Sequence, residues 1–212
     1  SFGDRNSLSG IALDTTGAGT APTDIRFVNV GTNDNLGTHG GVWIAAAGAR
    51  AQITNLASHR NGGPGLHVSV ASANIEIHNM VVDDCVSGPV IVEAASTVTV
   101  RGGYFRNVAS TASWGSAVGA ANARLELYGI VIEKVGGSGT KFVVDLQSAG
   151  VCIMEDCRTV GVLTYGIYGA HTVACKLHLG TNVDFSSCTT PYTLDASILP
   201  NFGTFTANGI TA

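Results

Sequence analysis

Two sets of residues in this chain could do chemistry, provided that side chains about 25 positions apart are neighbours in space. The first is His59, Asp83, Arg106 and Glu133, which recur at steps of 24, 23 and 27 residues. Two carboxylates on nearby chain segments can hydrolyse a glycosidic bond when they stand roughly 5–9.5 Å apart, so Asp83 and Glu133 are the candidate catalytic pair. Arg106 between them would hold both ionised, which suits a base or nucleophile and not an acid. Read without chemistry, the same column is an alternating-charge ladder. Each cross-strand pair in such a ladder contributes about 0.2–1 kcal/mol and helps set register. His59 and Arg106 double as candidate substrate-binding residues. One position later the column reads Arg60, Asp84, Asn107 and Lys134.

The second set is Trp43 and His67, 24 residues apart. An outward Trp beside a His makes a sugar-binding platform, because an aromatic face packs on a pyranose ring while polar groups at its rim orient it. Asp34 and His39 in the preceding loop, and Glu93 beyond, would complete a groove. The competing expectation is a Trp covered by a loop or by a neighbouring subunit. Cofactor chemistry is not expected: the chain has no Gly-rich phosphate loop in a strand–helix context and no nucleophile elbow. Its five cysteines (Cys85, Cys152, Cys157, Cys175, Cys188) lack zinc-type spacing, so no metal site is expected either. Cys152 falls on an inward position and should act as a small hydrophobe. A Cys157–Cys188 disulfide is left open.

Bulk composition narrows the partners. Charged residues are 12% of the chain, about half the usual share of roughly 25%. The net charge is −4 without a Lys/Arg run, which argues against nucleic acid or an anionic membrane as partner. No apolar run approaches the roughly 20 residues that span a bilayer. The first residues, SFGDRNSLSG, carry no apolar signal segment and no initiator Met. They are expected to follow from a longer chain or to join another domain or partner.

What would bring distant side chains together is a repeat. An apolar-x-apolar-x-Asn/Gly/Asp/Thr phrase ends at residues 29, 55, 79, 102, 129, 156 and 181, in steps of 26, 24, 23, 27, 27 and 25. A period of about 25 built on strand-like alternation is the mark of a stacked solenoid. Each repeat divides into three extended pieces, such as Leu66–Val70, Asn74–His78 and Met80–Asp83, with Leu66, Val68, Ile75, Ile77 and Val82 to one side. One residue joins the second piece to the third, and Asn or Gly there tolerates the left-handed backbone that a sharp bend needs. Asn29, Asn55 and Asn79 should then hydrogen-bond in a ladder between coils, whereas the coil of Thr181 should differ. The segments Gly31–Gly40, Arg60–Gly65 and Asn107–Gly115 should project as loops.

The phrases Ile75-Glu-Ile-His-Asn79 and Leu125-Glu-Leu-Tyr-Gly129 resemble those of right-handed parallel β-helices of the pectin-lyase-like kind, which include many phage tailspikes. The resemblance implies an all-β, single-stranded right-handed solenoid over residues 10–195, with about eight coils of three short strands and a length of roughly 35–40 Å. Residues 1–9 would be a lead-in. Residues 196–212, with Ile198, Leu199, Phe202 and Phe205, would cap the open end. Pectate lyases of this fold hold calcium on acidic clusters, and no such cluster stands on the first strand here. Of the polygalacturonase motifs, only Asp83-Asp84 and His39-Gly40-Gly41 have weak counterparts, so no catalytic role is carried over.

Outward positions two past the bend are Ala57, Val81, Tyr104 and Val131, an apolar stripe of the sort monomers seldom leave bare. Val81, Tyr104 and Val131 are the candidate interface, and the resemblance implies a parallel homotrimer. The resulting expectation is a virion or extracellular tailspike- or tail-fibre-like protein that recognises, or cleaves, a bacterial surface polysaccharide alongside other virion proteins. A non-viral polysaccharide lyase or glycoside hydrolase is the first alternative. A purely structural virion decoration or fibre protein is the second.

Overall fold

The computed structural model describes residues 2–4, 9–14, 23–106, 116–119, 122–133, 142–146, 150–161, 163–169 and 176–194. They form an all-β parallel solenoid of about five turns. One sheet stacks β1 (Phe2–Asp4), β3 (Ile25–Asn33), β5 (Arg50–His59), β7 (Asn74–Asp83), β9 (Thr97–Arg106), β11 (Arg124–Glu133), β13 (Val151–Glu155) and β16 (Lys176–Leu179), with β14 (Arg158–Val160) also on β11. The other stacks β2 (Ser9–Leu13), β4 (Gly40–Ile44), β6 (Leu66–Val68), β8 (Val90–Val92), β10 (Ser116–Val118), β12 (Phe142–Leu146), β15 (Leu163–Gly169) and β17 (Cys188–Leu194). The ladder reaches into the expected lead-in, because Phe2–Asp4 pairs with Gly31–Asn33. The proposed capping residues Ile198, Leu199, Phe202 and Phe205, the loop Asn107–Gly115 and Lys134 lie outside the described residues.

Strand formation follows the alternation. In β7 the inward Ile75, Ile77, Met80 and Val82 are fully buried, as are Val98 and Val100 in β9 and Leu125, Leu127 and Ile130 in β11. They join Val42, Ile44, Leu66, Val68, Val90 and Val92 of the second sheet in one core. Removal of this apolar surface from water drives the coil to close on itself. Cys85, Cys152, Cys157 and Cys188 are buried free thiols, so the Cys157–Cys188 disulfide does not form. Burial raises the Cys157 and Cys188 thiols to about 11 and the Cys152 thiol further, which keeps them from becoming reactive thiolates.

The expected second and third pieces are one bent strand in β3, β5, β7, β9 and β11, so these coils contribute two strands and not three. Asn29, Asn55, Asn79, Gly102 and Gly129 sit at the bend with φ between 55° and 71°. A single left-handed residue turns the chain while pairing resumes on either side: Thr54 opposes His78 and Leu56 opposes Met80, and the bend residues themselves are skipped. Their side chains bridge the gap. Asn55 Nδ2 donates to Asn29 Oδ1 at 2.8 Å and Asn79 Nδ2 to Asn55 Oδ1 at 3.2 Å. The expected amide ladder is therefore present. Thr181 is not the bend residue of its coil. Asn182 takes that place, with φ 56° and its amide donating to Asp156 Oδ1 at 2.8 Å, because one extra residue follows Leu179.

A second polar column lies inside the wall. Asn61 is fully buried; its Nδ2 donates to Ser58 Oγ at 2.7 Å, and its Oδ1 accepts from Asn35 Nδ2 at 2.7 Å and from the Asn35 backbone N–H at 3.0 Å. One coil on, Cys85 continues the Asn35–Asn61 position as a buried thiol 3.7 Å from Ser58 Oγ and 3.8 Å from Asn61 Nδ2. This network fixes the corner from which the loop bearing His39 departs.

Candidate functional site

Stacking produces the charge column as read. His59 pairs in register with Asp83, Asp83 with Arg106, and Arg106 with Glu133. His59 Nδ1 lies 3.8 Å from Asp83 Oδ2 and Arg106 Nε 3.6 Å from Glu133 Oε2. The Tyr104 hydroxyl also donates to Glu133. Asp83 and Glu133 stand two strand spacings apart, about 9.6 Å at ~4.8 Å each, with Arg106 between them. Every member is in reach of solvent, and each carboxylate has a neighbour to pair with. This is the arrangement of a ladder. Asp34 and Arg60, at positive φ on the adjoining corner, form a two-point ion pair at 2.8 and 2.9 Å.

The second sheet carries a tighter cluster on its outer face. Trp43 of β4 and His67 of β6 are paired in register. Trp43 is half-buried, and its Nε1–H donates to Ser69 Oγ at 2.8 Å, which fixes the indole plane. His39 enters from the turn that precedes β4 and lies flat on Trp43, with ring centroids 4.0 Å apart and planes within 5°. His39 Nδ1 and His67 Nδ1 approach to 3.1 Å, and His67 Nε2 lies 2.8 Å from Glu93 Oε2. His67 is only 6% exposed, whereas the Glu93 side chain is 55% exposed. Trp43, His67, His39 and Glu93 thus come together, though His67 lies beneath His39 and Glu93 and not on the open surface.

The hydrogen-bond chain dictates its own tautomers. An ionised carboxylate only accepts, so His67 Nε2 must be the donor to Glu93. In neutral His67 that leaves Nδ1 as a lone pair, and His39 Nδ1–H must donate to it. The lone pair of neutral His39 then sits on Nε2. The cluster is therefore a Glu93–His67–His39 relay ending in an accepting nitrogen beside an aromatic face. Burial and the neighbouring His67 hold the His39 imidazole below its ordinary value, while Glu93 pulls the other way. Such a nitrogen can accept a hydrogen bond from a hydroxyl, or take its proton. Among the described residues no group of three or more His, Cys, Asp or Glu is arranged to hold a metal ion.

A third polar face escaped the sequence reading. The x positions of the repeated phrase stack Glu76 with Thr99 and Glu126, and His78 with Arg101 and Tyr128. Arg101 lies over the Tyr128 ring at 4.5 Å and 3.5 Å from Glu76, which also meets His78 at 3.2 Å. Burial pushes the Glu126 carboxyl up, but donors from Arg124, Tyr128 and Thr99 outweigh it and hold the group below its ordinary value. Beside this face, a shallow cleft of about 230 Å³ is lined by Asp24, Arg26, Arg50, Gln52, Asn74 and Glu76 among others. The signal was available in the x residues, which are polar or aromatic except for Val28, Ile153 and Gly180.

The outward stripe is also in register: Ala57 opposes Val81, Val81 opposes Tyr104, and Tyr104 opposes Val131. Val81 is 37% exposed and the other three are half-buried. Arg158 pairs with Val131 and ends the apolar run. Comparison of the chain with protein-family models, with curated proteins and with solved structures finds no match.

Proposed function

We propose that this chain is a saccharide-recognising β-helix of the tailspike or tail-fibre kind, right-handed and pectin-lyase-like, with about eight coils, that engages a bacterial surface polysaccharide through the Trp43 region. The observation that carries the reading is the Trp43 cluster. It presents an indole locked at its N–H by Ser69, an imidazole acceptor on His39 and the exposed carboxylate of Glu93 on one rigid parallel sheet. Flat aromatic surface with a few fixed polar groups is how proteins hold sugar rings. The Ala57–Val81–Tyr104–Val131 stripe supports lateral assembly, read as a parallel homotrimer within a virion.

Incubation with a panel of bacterial polysaccharides, on protein whose mass in solution has been measured, tests the reading. Retention of a glycan by a trimer, lost in Trp43→Ala, is expected; a monomer that retains none of them refutes it. A second reading, a lyase or hydrolase, is favoured by the relay that leaves His39 Nε2 as acceptor. Release of reducing ends or unsaturated products in the same incubation separates cleavage from binding. Asp83 and Glu133 enter that reading only if their double Ala variant loses the release.

A further inference from the structure

One face of Trp43 is covered by a side chain that comes from a turn and not from a strand. His39 belongs to the turn Gly37–Gly40, closed by the Gly40 N–H donating to Gly37 O at 3.2 Å. Its ring occupies the indole face as a stacked ligand ring would, parallel and 4.0 Å away. His67, by contrast, is held in β6 between β4 and β8 and is bonded to Glu93. The link between the two imidazoles is nitrogen to nitrogen at 3.1 Å, so it requires one N–H and one lone pair. The pair keeps that link with one added proton. A second added proton sets two N–H groups head to head between two cations, and the link fails. Among the described residues, the titratable groups facing this pair are the two imidazoles and Glu93; Trp43 and Ser69 bring no charge.

We infer that the covered face of Trp43 is a stacking subsite for a sugar ring and that His39 is its proton-released cover. The inference rests on the saccharide reading of the Trp43 cluster. Between the two imidazoles, His67 is fixed by the sheet and by Glu93, so His39 is the one that swings away, by rotation about its side-chain bonds. Burial and His67 hold His39 below its ordinary 6.5 in the stacked arrangement. The open arrangement therefore binds protons better, and acid favours it. A ring that stacks on Trp43 displaces His39 from the same surface. Its binding takes up protons and strengthens as pH falls, and protonation favours binding to the same degree.

The chain has two tryptophans, Trp43 and Trp114, so Trp114→Phe leaves Trp43 as the sole indole. Acrylamide quenching of its emission is expected to rise about twofold along a sigmoid between about pH 8 and about pH 4.5. With His39→Ala added, quenching is expected at the higher level throughout. A flat profile in the parent, or the same step persisting in His39→Ala, overturns the cover. If Trp114→Phe loses its β circular dichroism, side-chain nitrogen spectra of the unaltered chain replace it. Two rings titrating in coupled steps support the cover, and independent single-step titration of every histidine overturns it. Neither measurement needs a sugar, so a failed cover and a failed saccharide reading are told apart. Binding of the polysaccharide panel at both pH extremes completes the test. Support is affinity that rises in acid for the parent and loses that pH dependence in His39→Ala. Absence of binding to either protein, with the quenching step intact, overturns the saccharide assignment alone.

Discussion

The column on the bent sheet and the cluster on the second sheet are made by the same stacking, yet they hold their charges differently. His59, Asp83, Arg106 and Glu133 lie side by side in register and in solvent, so each pair can be broken and re-formed without leaving a group stranded. Glu93, His67 and His39 form a chain in which the middle member is buried and each bond determines the next. The first arrangement sets register and solubility. The second fixes tautomers, which is what binding and proton transfer require. Enclosure, more than residue type, separates a ladder from a candidate site.

The largest expected effect comes from breaking the enclosed chain. His67→Ala removes a buried ring together with its hydrogen bonds to His39 and Glu93, and at roughly 0.5–1.5 kcal/mol per bond it is expected to cost about 1–3 kcal/mol. Urea unfolding of the variant reads this directly, and a loss no larger than that of His59→Ala would erase the contrast between the two faces. Next in size is Arg106→Ala, which removes the cation between Asp83 and Glu133 at an expected cost of up to about 1 kcal/mol. Repeating both measurements in about 1 M salt sharpens the contrast, since screening should shrink the Arg106 effect and leave the His67 effect largely intact.

The smallest effect falls on Glu126, a half-buried carboxylate on the bent sheet that lies between the two extremes. Its folded value is held below the ordinary 4.5, where burial is outweighed by Arg124, Tyr128 and Thr99. The sign follows from linkage: its stabilising contribution is fully present above the ordinary carboxylate range and is lost as pH falls through the lower folded value. Glu126→Gln should therefore flatten part of the acid limb of the stability profile, seen as a smaller drop in Tm between neutral and acid pH. An unchanged acid limb would mean that those donors act on nothing in the folded state.

Much of this was legible in the residues, and the exceptions share a cause. The phrase ending at Asn29, Asn55 and Asn79 carries both the inward alternation and the bend, because burial and left-handed backbone each demand particular residue types. Trp43 and His67 could be placed side by side from their spacing of 24 alone. Periodicity has no hold on His39, whose position depends on how far a turn reaches beyond the strand, so its stacking on Trp43 was out of sight. The merger of two expected strands into one has a similar origin: alternation reports which way side chains point, not whether backbone pairing runs on past a left-handed residue. At Thr181 the spacing pointed to the bend, but an added residue gave the position to Asn182.

The bent strands also show where this scaffold can be edited. From β3 to β11 the arms of nine or ten residues stay in register, and most of the difference in coil length falls at the corner that leads to the second sheet. The stretch from Asn33 to Val42 is two residues longer than the equivalent stretch from His59 to Leu66, and it carries His39. Insertions and deletions at that corner leave every inward column aligned, so the outer surface over β4, β6 and β8 can be altered while the core keeps its register. The scaffold thus divides in two, a wall held by packing and a corner that can change length without disturbing it.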